Sequence, residues 1–140
     1  MDMKIVLIAC ASKKLSSKAK AKDVYTSSLF KLNLKYANSI SADKIFILSA
    51  KHGLLDLEKE IEPYNQTLNN MKDEEIKAWA DNVLQSLAQF SNLNEDEFVF
   101  LAGEKYRKHL IPMIKNYKVP MEGLGIGKQL KFLKENELRV

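Results

Sequence analysis

Lys4-Ile5-Val6-Leu7-Ile8-Ala9-Cys10 runs into Ala11-Ser12-Lys13-Lys14, and Lys44-Ile45-Phe46-Ile47-Leu48 runs into Ser49-Ala50-Lys51-His52-Gly53. Both are near-continuous apolar runs ending in small, polar, lysine-bearing residues. A strand with one wet face alternates; an unbroken apolar strand is buried on both faces, as in a parallel sheet between helices. Ligands of open parallel sheets bind beyond the carboxyl ends of the strands. Hydroxyls, lysines and a histidine at two such ends point to an anionic or nucleotide-like ligand.

The rest of the chain continues this alternation. The polar loop 10–24 precedes a helix over about 28–39, capped by Ser27 or Thr26, with Leu29, Leu32, Tyr36 and Ile40 as its apolar stripe. After the connection 50–70, Asp73 starts a helix to about residue 90 that faces the core with Ile76, Trp79, Val83, Leu84 and Leu87. A third strand spans 97–102, a helix is expected over 104–116, a fourth short strand over 117–121, and a last helix over 127–136. The expected fold is α/β: one three-layer domain over residues 1–140, with a mostly parallel four-stranded sheet and helices on both faces. All five glycines fall at expected turns, where plain turn chemistry places most of them.

Composition narrows the function classes. The chain has 140 residues, 46% of them hydrophobic, enough to bury a core. A single cysteine excludes an internal disulfide, and one cysteine with two histidines lacks zinc-ligand spacing. No metal and no cofactor is expected. No apolar run reaches bilayer length, and Met1-Asp2-Met3-Lys4 does not read as a signal peptide, so a soluble cytoplasmic protein without membrane partners is expected. The oligomeric state is open. The net charge of +4 is uneven: residues 1–51 carry ten lysines against three aspartates, with five lysines between 13 and 22. Such a stretch either contacts phosphates or is a solvated loop. Only Arg107 and Arg139 are arginines, which argues against base-specific reading in a major groove.

The candidate site residues gather at the loops. Ser12, Lys13, Lys51, Ser27 and Ser28 are candidate phosphate contacts, while Tyr25 and Tyr64 offer faces for stacking on a base. Asn65 and Gln129 carry amides that can read a base edge. Glu62, held with Tyr64 by Pro63, forms the candidate catalytic group together with Lys51 and His52, in which a carboxylate orients water. Ser49 and Gly53 flank that group. Cys10 beside Lys13 and Lys14 is either a packed strand end or a nucleophilic thiol with His52 as its better-placed base, and it counts among the ligand-binding candidates. Gly103, Tyr106 and Arg107 follow the third strand. Gly125 and Gly127 open the last helix; Gly123-Leu124-Gly125-Ile126-Gly127-Lys128-Gln129 fits neither the Walker pattern nor the dinucleotide fingerprint, yet a helix start there can meet an anion.

Read in order, Cys10-x-x-Lys13, Tyr25-x-Ser27-Ser28-x-Phe30, Leu48-Ser49-Ala50-Lys51-x-Gly53-Leu54-Leu55, Glu62-Pro63-Tyr64, Ala102-Gly103-x-x-Tyr106 and Gly123-Leu124-x-Ile126-Gly127-x-Gln129 resemble a family of small, uncharacterised bacterial and phage proteins. Some of that family are described as similar to the peroxide-stress protein YaaA. His52 stands where the family usually has tyrosine. Cys10, Lys13, Tyr25 and Ser28 also resemble the Pro-Cys…Lys-Pro-Tyr…Ser motif of archaeosine synthase, with Ala9 in place of its proline and a longer gap between lysine and tyrosine. The resemblance implies a uracil-DNA-glycosylase-like layout. It implies an enzyme acting on a nucleobase or nucleotide, an N-glycosylase-like hydrolase working on nucleic acid. The alternative is a non-catalytic nucleic-acid or nucleotide-binding protein of a stress or phage-related response.

Overall fold

The computed structural model describes residues 2–137. Its centre is strand β1 (Lys4–Ala9), the longest unbroken apolar run of the N-terminal half. Strand β2 (Ala19–Lys20), helix α1 (Ala21–Val24) and helix α2 (Ser28–Ser39) lead to strand β3 (Lys44–Ser49). Strands β4 (Gly53–Asp56) and β5 (Glu60–Ile61) follow, then helix α3 (Asp73–Phe90) and strand β6 (Glu97–Leu101). Helix α4 (Glu104–Arg107), strand β7 (Asn116–Lys118) and helix α5 (Ile126–Glu137) complete the order.

The main sheet has the order β4-β3-β1-β6-β7, parallel except for β4. Five strands stand where four were expected. The addition is β4, a hairpin return in which Ser49 pairs with Gly53 across three turn residues. Gly53 sits at φ +70°, in the left-handed region that closes such a turn. At four residues, Gly53-Leu54-Leu55-Asp56, β4 is too short to stand out from a loop.

The unbroken apolar strands do what their composition requires. Val6, Ile8, Val99 and Leu101 pack on one face with Phe30, Ala37 and Leu133 of α2 and α5. Ile5, Leu7, Phe98 and Phe100 pack on the other with Ala80, Val83 and Leu87 of α3. The α/β architecture with helices on both faces is therefore present. Details of the expected helices shift. The deep face of α2 is Phe30, Asn33 and Ala37, whereas Leu29, Leu32, Tyr36 and Ile40 are only partly buried. The helix expected over 104–116 stops at Arg107 and resumes as a single 3₁₀ turn over Ile111–Met113. Pro112 has no N–H for an α-helical bond, and its ring would crowd the carbonyl four residues earlier.

The two long connections are ordered against each other. Ala19 pairs with Ile61, and Ala21 N–H donates to Lys59 O at 2.7 Å. Lys18, Lys20 and Lys22 form ion pairs with Glu58 and Glu60. Only Lys13 and Lys14 of the lysine run are left near the carboxyl ends of the strands. Among the described residues, no helix is long and apolar enough to cross a membrane, and no cluster of three metal-ligating side chains occurs.

Candidate functional site

The chain leaves β1 toward β3 on one side and enters β6 on the other, so the loops after β1 and β6 diverge. Divergence at neighbouring strand ends opens a crevice, the usual ligand position in an open α/β sheet. Two connected cavities occupy it. An outer cleft of about 850 Å³ lies between the loop after β1, the segment 65–69, the start of α4 and the start of α5. An inner recess of about 250 Å³ runs below it, between α2 and the ends of β1 and β6. Cys10, Ser27, Glu104 and Gln129 line both, and so mark their junction.

The recess has walls of mixed character, with Phe30, Phe100 and Met121 beside Asn33, Glu104, Arg107 and Gln129. Asn33 is only 5% exposed, and its Oδ1 has no hydrogen-bond partner. A buried carbonyl oxygen left unpaired costs about 1–3 kcal/mol. Arg107 spends one guanidinium nitrogen on Ala102 O at 2.7 Å, which leaves further N–H groups. Gln129 Nε2 donates to Leu124 O at 2.8 Å, leaving its carbonyl oxygen to accept.

Lys13, Lys14 and Lys105 edge the outer cleft, with the hydroxyls of Ser12, Ser27 and Ser28. Ser27 also accepts from Phe30 N–H at 3.2 Å, so the cap of α2 lies on the cleft wall. Cys10 Sγ is 3.4 Å from Tyr106 Oη. Tyr106 packs edge-on against Trp79, which donates to Ser49 O at 2.8 Å. Burial pushes the Tyr106 phenol well above its ordinary range.

Beneath the cleft runs a buried relay of hydroxyls. Tyr64 Oη lies 2.6 Å from Tyr25 Oη and 2.7 Å from Ser49 Oγ, and Ser49 Oγ accepts from His52 N–H at 3.0 Å. Burial raises both phenols, Tyr25 to about 12. The tyrosines expected to stack on a ligand are thus structural: Tyr25 is 1% exposed and Tyr64 8%. Their hydroxyls satisfy each other, and the ring of Tyr64 supports the Lys14 ammonium 4.5 Å from its centroid.

The structure brings Cys10, Ser12, Lys13, Ser27, Ser28, Asn65, Gly103, Tyr106, Arg107 and Gln129 to the two cavities. Tyr25, Ser49 and Tyr64 lie buried below. The expected catalytic group does not assemble there. Glu62 and Lys51 are exposed, and neither they nor His52 line the cleft. His52 instead lies edge-on to Tyr64 at 5.5 Å, its Nε2 buried without a partner. The antiparallel return through β4 carries this segment away from the crevice. Gly53 serves the hairpin, and Gly125 and Gly127 are exposed outside the cavity linings. Sequence reading missed Asn33, Glu104, Lys14 and Thr67 as lining residues. Asn33 had a signal, a polar side chain at core spacing between Phe30 and Ala37. Glu104 is the carboxylate present in both linings, placed by the turn at Gly103.

A family model described as a family of unknown function (DUF6884) matches residues 5–135. The chain belongs to that family. The match takes in β1 through almost all of α5, and therefore every element around the crevice. No curated protein and no solved structure gives a significant match.

Proposed function

We propose that the crevice is a nucleobase-directed site, and that the protein is an N-glycosylase-like hydrolase acting on nucleic acid or a nucleotide. The observation that carries this reading is the unpartnered, buried Asn33 Oδ1 in the wall of a recess of mixed polarity that continues into a lysine-edged cleft. A nucleotide has that polarity: a flat heterocycle with N–H donors at one end, phosphate at the other. The base would enter the recess, donate to Asn33 and accept from Arg107, while Lys13 and Lys105 meet phosphate. In duplex DNA the base would have to be flipped out of the stack to reach it.

The bond between base and sugar would then cross the junction of the cavities, where Glu104 stands. A carboxylate there can orient water toward C1′. The C1′–N bond breaks, the base leaves with the bonding pair and takes up a proton, and the water oxygen bonds to C1′. Glu104 replaces Glu62 in this role because Glu62 is exposed away from the crevice. The uracil-DNA-glycosylase-like layout and the likeness to YaaA-related proteins are part of the same proposal, supported by the crevice at the ends of β1 and β6. The exposed cleft lysines favour a second reading, nucleic-acid or nucleotide binding without turnover.

Mass-spectrometric detection of bases freed from a panel of DNA, RNA and nucleoside substrates separates the two. Hydrolysis predicts a released base, lost by roughly 10²–10⁴-fold in Glu104→Gln with binding retained. Binding without any released base across the panel would leave only the second reading.

A further inference from the structure

Lys14 stands apart in its run because it lies over two tyrosine rings, and it shares with Lys13 the lack of an ion pair among the described residues. Lys18, Lys20 and Lys22 are ion-paired. Its backbone is pinned: it bridges to Tyr25, Leu15 N–H donates to Val24 O at 2.8 Å, and Thr26 N–H donates to Lys13 O at 2.9 Å. Its Nζ lies over the buried rings of Tyr64 and Tyr25, and its one hydrogen bond is to Ser12 O at 3.3 Å. Lys14 lines the same cleft as Glu104. We propose that Lys14 is an imine-forming nucleophile whose ligand is a sugar aldehyde, the ring-opened C1′ of a deoxyribose that has lost its base. Burial lowers the pKa of Lys14, which raises the fraction of neutral amine available to attack.

The inference rests on the nucleobase-directed reading of the cleft. The amine lone pair adds to the C1′ carbonyl carbon, the oxygen takes up protons and leaves as water, and a protonated imine remains. A carboxylate such as Glu104 can then remove a C2′ proton. The C–H electrons form an enamine that expels the 3′ phosphate by breaking the C3′–O bond. Water hydrolyses the imine, returning the free amine and an unsaturated aldehyde. No oxidant or reductant enters the cycle.

The test uses the full chain, an oligonucleotide with a pre-formed abasic site, and borohydride, which reduces an imine to a stable amine. A covalent protein–DNA adduct mapped to Lys14, lost in K14R and kept in K51R, is the expected result. No adduct, an adduct on another lysine, or an adduct unchanged in K14R would overturn the assignment. Because the abasic site is supplied ready-made, the two proposals fail separately. Base release without trapping removes only the lysine chemistry, whereas trapping without base release removes only the glycosylase step.

Discussion

Asn33 is the residue on which stability and function pull apart. Its buried, unpaired carbonyl oxygen is a debit to the free protein that a ligand N–H would cancel. Replacing it with leucine removes the unmet acceptor and fills part of the recess. Asn33→Leu should therefore be more stable than the parent by about 1 kcal/mol in urea unfolding, yet fail to bind a nucleobase. A loss of stability with binding intact would mean that the amide has a structural role. His52 makes a second residue-scale prediction. Burial first, and then the charges of Lys51 and Lys59, hold its imidazole pKa below the ordinary 6.5. The unfolded chain then binds the proton more readily than the folded one. Stability from this source is complete above the ordinary value and is lost as pH falls through it toward the depressed folded value. The stability of the parent against denaturant should fall more steeply on acidification than that of His52→Gln; parallel profiles would contradict this.

At the scale of elements, what was legible were features with long periods or strong punctuation. β1, β3 and β6 announced themselves as unbroken apolar runs, and α3 as a long amphipathic pattern. The elements that were missed are short and defined by partners rather than by their own residues. β2 and β5 are two residues each and exist because they pair across forty residues of chain. β4 exists because Gly53 turns the chain back onto β3. That difference in cause separates two glycines. Gly53→Ala forces a Cβ into the left-handed region and should cost about 1–2 kcal/mol. Gly103→Ala, at φ −67° with open space around the new Cβ, should change stability by less than about 0.5 kcal/mol. Equal thermal shifts for the two variants would contradict the turn assignment.

For the whole molecule, the sequence pointed to the carboxyl ends of the strands, where the crevice lies, but could not tell which loop residues line it. The loops after β1 and β6 both border the crevice, and ten of the expected ligand residues reach the cavities. The expected catalytic group went astray because only tertiary pairing tells that 51–62 folds away. Charge shows the same limit. Five lysines between 13 and 22 read as one basic stretch, but Glu58 and Glu60 pair with three of them. If nucleic acid binds, neutralising Lys13 should flatten the dependence of log affinity on log salt by about 0.7–0.9, the value of one phosphate contact. Neutralising Lys18 or Lys20 should leave the slope nearly unchanged.

The proposed polarity of the crevice can be read from diffraction by crystals of the protein soaked with nucleosides and nucleotides. The expected density shows the heterocycle in the recess with a ring or amino N–H on Asn33 Oδ1, and phosphate beside Lys13 or Lys105. A base lying outside the recess, or phosphate buried against Asn33, would contradict it.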